Sequence, residues 1–231
     1  MIAGQEPPLD NIFHRACGAA CRGLLTAFFR FRAYGLHNVP ARGGVLFLSN
    51  HQSFLDPILI EPPLRRTLSY MARDSLFHNP LFGAFIRALD AFPVRRGRAD
   101  TAAIREAIDR LRAGRALLLF PEGTRSQHGE LGPMRGGFLV LVRNAHVPVV
   151  PVALDGAHRA WPRSRPLPRP ARLSVAYGEP IPPDAFDGLT DDQAALLVRS
   201  EIARLLDRLR QRPESSGISD AQSATSGRSS S

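Results

Sequence analysis

The stretch Asn50-His51-Gln52-Ser53-Phe54-Leu55-Asp56 sets an imidazole and a carboxylate five residues apart. On one continuous helix each residue turns about 100°, so these side chains would point about 140° apart and could not meet. They can meet if His51 ends a strand and Asp56 opens the next helix across a tight turn. Asp56-Pro57 fits such a start, as an N-cap followed by proline at the first helical position. A carboxylate on one imidazole nitrogen fixes the tautomer and leaves the other nitrogen as a general base. This is the logic of a Ser-His-Asp site in which the substrate supplies the hydroxyl nucleophile. Taken alone, His-x4-Asp is a common coincidence of spacing.

Two further groups carry chemistry. Phe120-Pro121-Glu122-Gly123-Thr124-Arg125-Ser126 follows the apolar run Ala116–Phe120, so it should lie at a strand's carboxyl end, where open α/β sheets place ligands. Gly123 allows close backbone approach, and Thr124, Arg125 and Ser126 offer donors suited to phosphate oxygens. Glu122 beside Arg125 also reads as an ion pair holding the loop. Pro93-Val94-Arg95-Arg96-Gly97-Arg98 brings arginines to a helix start, as a phosphate clamp or as a solvated charge run.

The elements that must position these residues read as alternating strands and helices. Val45–Ser49, Leu68–Ala72, Ala116–Phe120, Val147–Leu154 and Leu173–Tyr177 have the look of strands, and Phe92–Val94 is extended. Helices are expected near Pro80–Leu89, from an N-cap at Asp100 to about Arg112, over Gly137–Ala145, and from a Thr190/Gln193 capping box to about Leu209. Several strands are apolar throughout, which argues for an α/β fold with a largely parallel or mixed central sheet flanked by helices.

Ahead of this domain, apolar residues from Leu9 to Phe31 recur at helical spacing, with Arg15, Arg22 and Arg30 mostly opposite. That amphipathic helix would either pack on its own domain or lie in a membrane interface. The organisation expected is an N-terminal, membrane-associating segment over 1–33, a domain over 34–212 and a disordered Ser-rich tail over 213–231. Ala160–Pro170 is an Arg/Pro-rich loop.

Composition narrows the partners. The net charge is +9, and every one of the 30 basic residues is arginine. That balance suits nucleic acid, an anionic membrane surface or phosphorylated substrates. Against nucleic acid, the arginines are scattered and no known binding module appears. Neither a spanning helix nor a cleavable signal peptide is expected. Cys17 and Cys21 stand four apart in the first helix, which disfavours a disulfide and supplies no metal site.

Together these pieces resemble the lysophosphatidate and glycerol-3-phosphate acyltransferase superfamily, the PlsC type, from about Tyr34 to Ile181. Its first motif, Asn-His-x4-Asp, matches Asn50, His51 and Asp56; its second, an arginine after an extended stretch, matches Arg96, with Arg95 the alternative. The third is present in full at Phe120–Ser126, and the Val-Pro strand of the fourth at Val147–Val152. Where many members have Phe-Lys before a glycine, this chain has Met134-Arg135-Gly136.

The resemblance implies an O-acyltransferase in which His51, oriented by Asp56, deprotonates the acceptor hydroxyl for direct attack on a thioester. Arg96, Glu122, Gly123, Thr124 and Arg125 would hold the acceptor's phosphate, with Asn50, Arg95, Ser126 and Arg135 as further candidates. The donor would be acyl-CoA or acyl carrier protein, with no metal or bound cofactor. The acceptor implied is 1-acyl-glycerol-3-phosphate, with glycerol-3-phosphate or another lysolipid as alternatives. No nucleic-acid partner is expected, and the location implied is the cytoplasmic face of the membrane, peripheral or monotopic.

Overall fold

Val45–Ser49 and Ala116–Leu119 are apolar or small at every position, as strands buried on both faces must be. They form β2 and β5, the centre of the sheet. The computed structural model describes residues 12–95, 100–162 and 164–212. Around β2 and β5 lie β1 (Arg32–Tyr34), β3 (Leu68–Arg73), β4 (Ala91–Val94), β6 (Val149–Asp155) and β7 (Ser174–Tyr177). The order across the seven-stranded sheet is β1-β7-β6-β2-β5-β3-β4. Every neighbouring pair is parallel except β6 and β7. The α/β fold with a mostly parallel, mixed sheet is therefore as the strand patterns imply.

Seven helices are described: α1 (Ile12–Phe29), α2 (Asp56–Ile60), α3 (Pro80–Ala88), α4 (Thr101–Arg112), α5 (Leu139–Ala145), α6 (Ala157–Ala160) and α7 (Asp191–Gln211). Right-handed crossovers fix the side each one takes. The connections β2→β3 and β3→β4 run outward across the sheet, whereas β4→β5 and β5→β6 run back. So α2 and α3 fall on one face, and α4 and α5 on the other.

The alternation of β2 agrees: Leu46 and Leu48 pack with Ala107, Leu111, Val142 and Ile202 of α4, α5 and α7. Val45 and Phe47 pack with Leu25, Leu59, Ile60 and Ala160 of α1, α2 and α6. On this α4/α5/α7 face the starts of α4 and α7 are capped by side chains. Asp100 accepts the Ala103 N–H at 3.2 Å, and Thr190 and Gln193 close the expected capping box.

The first helix differs from its expected stripe. Leu25 enters the core, whereas Ala20, Leu24, Ala27 and Phe28 of that stripe are exposed. Residues 1–11 and the tail over 213–231 lie outside the described residues. Among the described residues no helix is long and apolar enough to cross a membrane.

Candidate active site

At the carboxyl end of β2 the chain must leave the sheet without stranding backbone groups. Asn50 manages this with its side chain. Its amide donates to Leu154 O at 2.9 Å, and Leu154 N–H donates to Asn50 Oδ1 at 2.8 Å. The side chain thus continues the ladder toward β6 and delivers His51 just beyond the sheet edge. Asn50 is therefore buried structure beneath the site.

A tight turn then brings Asp56 back to the imidazole, with Asp56 Oδ2 2.7 Å from His51 Nδ1. The same oxygen accepts the Gln52 and Ser53 N–H groups at 2.6 and 2.9 Å. The expected N-cap role needs correcting. Asp56 is itself the first residue of α2, and its carboxylate turns back onto the loop rather than forward onto helix N–H groups. Burial pushes the Asp56 carboxyl above its ordinary value, against the opposing pull of His51 and the Ser53 and Gln52 N–H groups. With Asp56 ionised the contact places the proton on Nδ1, which leaves Nε2 free to accept one. Ser53 is no rival nucleophile, because its buried hydroxyl donates to Trp161 O at 2.8 Å.

The loop after β5 grips His51 from the other side. Phe120 stacks on the imidazole, with centroids 4.1 Å apart and planes 18° from parallel. Ser126 N–H donates to His51 O at 2.7 Å, and His51 N–H donates to Glu122 Oε1 at 2.8 Å. Glu122 Oε2 accepts the Gly132 N–H at 3.2 Å. Arg199 of α7 in turn donates to Gly132 O at 3.2 Å and Leu131 O at 3.3 Å. Nearby, a methyl on Gly136 would stand 2.0 Å from Asp191 O, so this loop and α7 are in close contact.

Glu122 is therefore reassigned. Its buried carboxylate, an acceptor with both oxygens engaged by N–H groups, holds the His51 loop and is not built to meet a phosphate. Burial raises its pKa, while the His51 and Gly132 N–H groups pull it down.

The remaining candidates differ in exposure and in what they touch. Gly123, with φ of 70°, and Thr124 are exposed. A methyl on Gly123 would stand 3.9 Å from the Arg135 guanidinium carbon, which puts Arg135 beside that turn. The Arg125 guanidinium lies 3.5 Å from the Phe54 ring centroid. Arg95 is exposed, with its backbone N–H donating to Asp100 at 2.9 Å. Arg96, the first choice for the phosphate, lies outside the described residues. Among the described residues no three His, Cys, Asp or Glu side chains form a metal-ligating group.

Sequence reasoning missed Gln52, Phe120, Gly132 and Arg199. Gln52 is buried and donates to Gly129 O at 2.8 Å, tying the His51 loop to the segment after Ser126. Phe120 was within reach, as the aromatic that ends an apolar strand at the site. Arg199 sits 67 residues from its partner Gly132, and nothing local marks it.

Residues 30–155 match the Acyltransferase family. The chain is 27% identical over 169 residues to the 1-acyl-sn-glycerol-3-phosphate acyltransferase of Bacillus subtilis (strain 168), covering 73% of this chain and 82% of that protein. It is 29% identical over 169 residues to the chloroplastic 1-acyl-sn-glycerol-3-phosphate acyltransferase BAT2 of Brassica napus, covering 71% of this chain. The chain spans about half the length of that plant relative, 49%. In three dimensions it resembles the crystal structure of the 1-acyl-sn-glycerophosphate (LPA) acyltransferase PlsC from Thermotoga maritima. There the TM-score is 0.75 at 26% identity, over 89% of this chain and 80% of the other.

Proposed function

The chain belongs to the Acyltransferase family, and on that premise we propose that it acylates the free hydroxyl of 1-acyl-glycerol-3-phosphate to give phosphatidate. The donor in this reading is acyl-CoA or acyl carrier protein. The observation that carries it is the 2.7 Å contact between His51 Nδ1 and Asp56 Oδ2 at the end of β2; in this reading Nε2 is the base.

His51 Nε2 takes the proton of the acceptor hydroxyl as that oxygen attacks the thioester carbonyl. The tetrahedral intermediate collapses with cleavage of the C–S bond, and the imidazolium returns the proton to the leaving thiolate. Atoms and charge balance without an acyl-enzyme. Asp56 stabilises the transient imidazolium, and it can do so because its own carboxylate is buried beside the ring. Arg96, Arg125 and Arg135 are the proposed phosphate partners. Holding the phosphate positions the hydroxyl, which can supply several kcal/mol of barrier reduction, on the order of the effect of orientation in other enzymes. Since acceptor and product are lipids, the reading includes peripheral attachment at the cytoplasmic face of the membrane.

The test is a panel of acceptors with several acyl donors, products being read by mass spectrometry. Phosphatidate from 1-acyl-glycerol-3-phosphate is the expected product. Acylation of glycerol-3-phosphate alone would move the substrate assignment, and ester formation with no phosphate-bearing acceptor would remove it. Arg96→Ala should raise KM for the acceptor with less effect on the donor. A change confined to donor dependence would contradict the phosphate role.

A further inference from the structure

The sheet's two faces differ in what they leave uncovered. Among the described residues, helices α4, α5 and α7 expose large apolar side chains at Val140 on α5 and Leu196 on α7. Isolated cases like these are ordinary on protein surfaces. On the other side, the 3-10 turn Asp74–Phe77 and helix α3 expose Leu76, Leu81, Phe82 and Phe85 within ten residues. Leu81 is 84% exposed. A cluster of this kind on a soluble surface marks an interaction site.

The segment is well formed. Asn79 caps α3 by accepting the Phe82 N–H at 3.0 Å, and Pro80 opens the helix. A methyl on Gly83 would meet Phe77 O at 2.9 Å, so α3 and the turn pack closely into one unit. Its own core contribution is slight, since Gly83 is the only buried residue of the helix. An amphipathic helix that buries so little within its own domain has its apolar surface available to something else.

Charge says what that partner is. From Met71 to Leu89 the one acidic residue is Asp74, whereas Arg73 and Arg87 are exposed. Arg87 lies over the Phe77 ring at 4.9 Å. Arg73 ends β3 opposite Val94 of β4, so it stands beside the strand that leads to Arg95 and Arg96. Apolar side chains rimmed by arginine match an anionic lipid surface, where the chains enter hydrocarbon and the guanidinium groups meet phosphate. The turn also leaves the carboxyl edge of β3, the sheet edge at which His51 and Glu122 emerge.

We propose that the Asp74–Phe77 turn and α3 form a lipid-docking surface. Leu76, Leu81, Phe82 and Phe85 enter the apolar edge of an anionic membrane, and Arg73 and Arg87 bind its headgroup phosphates. This rests on the proposed reaction, because a lysolipid drawn from that surface would reach Arg95, just beyond β4, without crossing water. The contact is separate from α1, whose exposed Leu24 and Phe28 lie on the same face of the sheet.

The experiment is co-sedimentation of the full chain with vesicles of phosphatidylcholine alone or mixed with phosphatidylglycerol. The double variant Leu81→Gln, Phe85→Gln should bind mixed vesicles at least about tenfold more weakly, given how such binding scales with apolar area inserted. Its thermal melting and its turnover of a water-soluble, short-chain lysophosphatidate should match the unmodified protein. The pair Arg73→Gln, Arg87→Gln should lose only the preference for phosphatidylglycerol. Unchanged vesicle binding by the apolar double variant, with folding intact, overturns the surface. Equal losses on both vesicle types for the arginine pair overturn the headgroup role. If the apolar variant instead dissociates an oligomer by light scattering while keeping vesicle binding, the surface belongs to a second copy and the proposal fails. Failure of the reaction itself reads differently, as absence of acyl transfer by the unmodified protein whatever its vesicle binding.

Discussion

The face of the sheet covered by α4, α5 and α7 and the face covered by α1, α2, α3 and α6 are built for different ends. The first is closed: α4, α5 and α7 press Ala107, Leu111, Val142 and Ile202 onto Leu46 and Leu48. The second, formed by α1, α2, α3 and α6, leaves Phe54, Ile58, Leu81 and Phe85 in solvent. The dyad sits at the sheet's edge, with Asp56 supplied by the open face. Glu122 connects it to the closed face through Gly132 and Arg199 of α7. Both faces carry a buried core, and the proposed chemistry draws its carboxylate from the more open one.

The sharpest way to separate the two is a substitution that removes chemistry without removing stability. Asp56→Asn keeps the shape while taking away the charge that fixes the His51 proton. Turnover should fall on the order of 10³–10⁴-fold, as when a triad carboxylate becomes an amide elsewhere. Stability should move the other way. The folded state holds the Asp56 proton more tightly than the unfolded chain does, since burial raises its pKa above the ordinary value of 3.8. The stability this group contributes is therefore present below that value and is lost as pH rises through the raised one. The neutral amide escapes that loss. Melting curves at acid and neutral pH should show the variant gaining on the unmodified protein as pH increases, and a growing deficit would contradict the argument.

The converse substitution lies on the closed face. Leu111→Ala and Ile202→Ala each remove a fully packed side chain and should cost about 2–5 kcal/mol by urea unfolding. Activity per folded molecule should hold. If it collapsed with stability intact, the division between the faces would be wrong.

The connection between them predicts an intermediate effect. Glu122→Gln leaves one buried N–H, of His51 or Gly132, without its acceptor, a loss of about 1–3 kcal/mol. Expressed in kinetics it should lower kcat more than it changes either KM, because it loosens His51 and touches no phosphate. A raised acceptor KM at constant kcat would restore a binding role for Glu122. Arg199→Ala acts one step further away and should lower kcat by a smaller factor. Least of all, Leu196→Gln on the closed face should stay within about 0.5 kcal/mol of the unmodified protein and leave vesicle binding alone.

How far these features could be read from sequence depends on how local they are. The contact between His51 and Asp56 was legible because seven consecutive residues hold strand end, turn and helix start together. The strands were legible because continuous apolar runs have few other uses. Asp56 was understood only in part: it does open a helix, but its carboxylate turns backward, and spacing carries no sign of that direction. The loop-holding role read for Glu122 had the wrong partner, because its oxygens accept backbone N–H groups of His51 and Gly132, which no side-chain pattern reports. Arg199 was invisible for the same reason at longer range. The apolar residues of α3 carry the composition of a core helix, and only the fold shows that they face outward.

The central claim is that His51, held by Asp56, deprotonates an acceptor hydroxyl. The direct measurement is thiol release from acyl-CoA with and without 1-acyl-glycerol-3-phosphate, made on the unmodified protein and on His51→Ala side by side. The account predicts release that requires the acceptor and that falls to the uncatalysed background in the variant. Release at an undiminished rate in His51→Ala, or release indifferent to the acceptor, would contradict it.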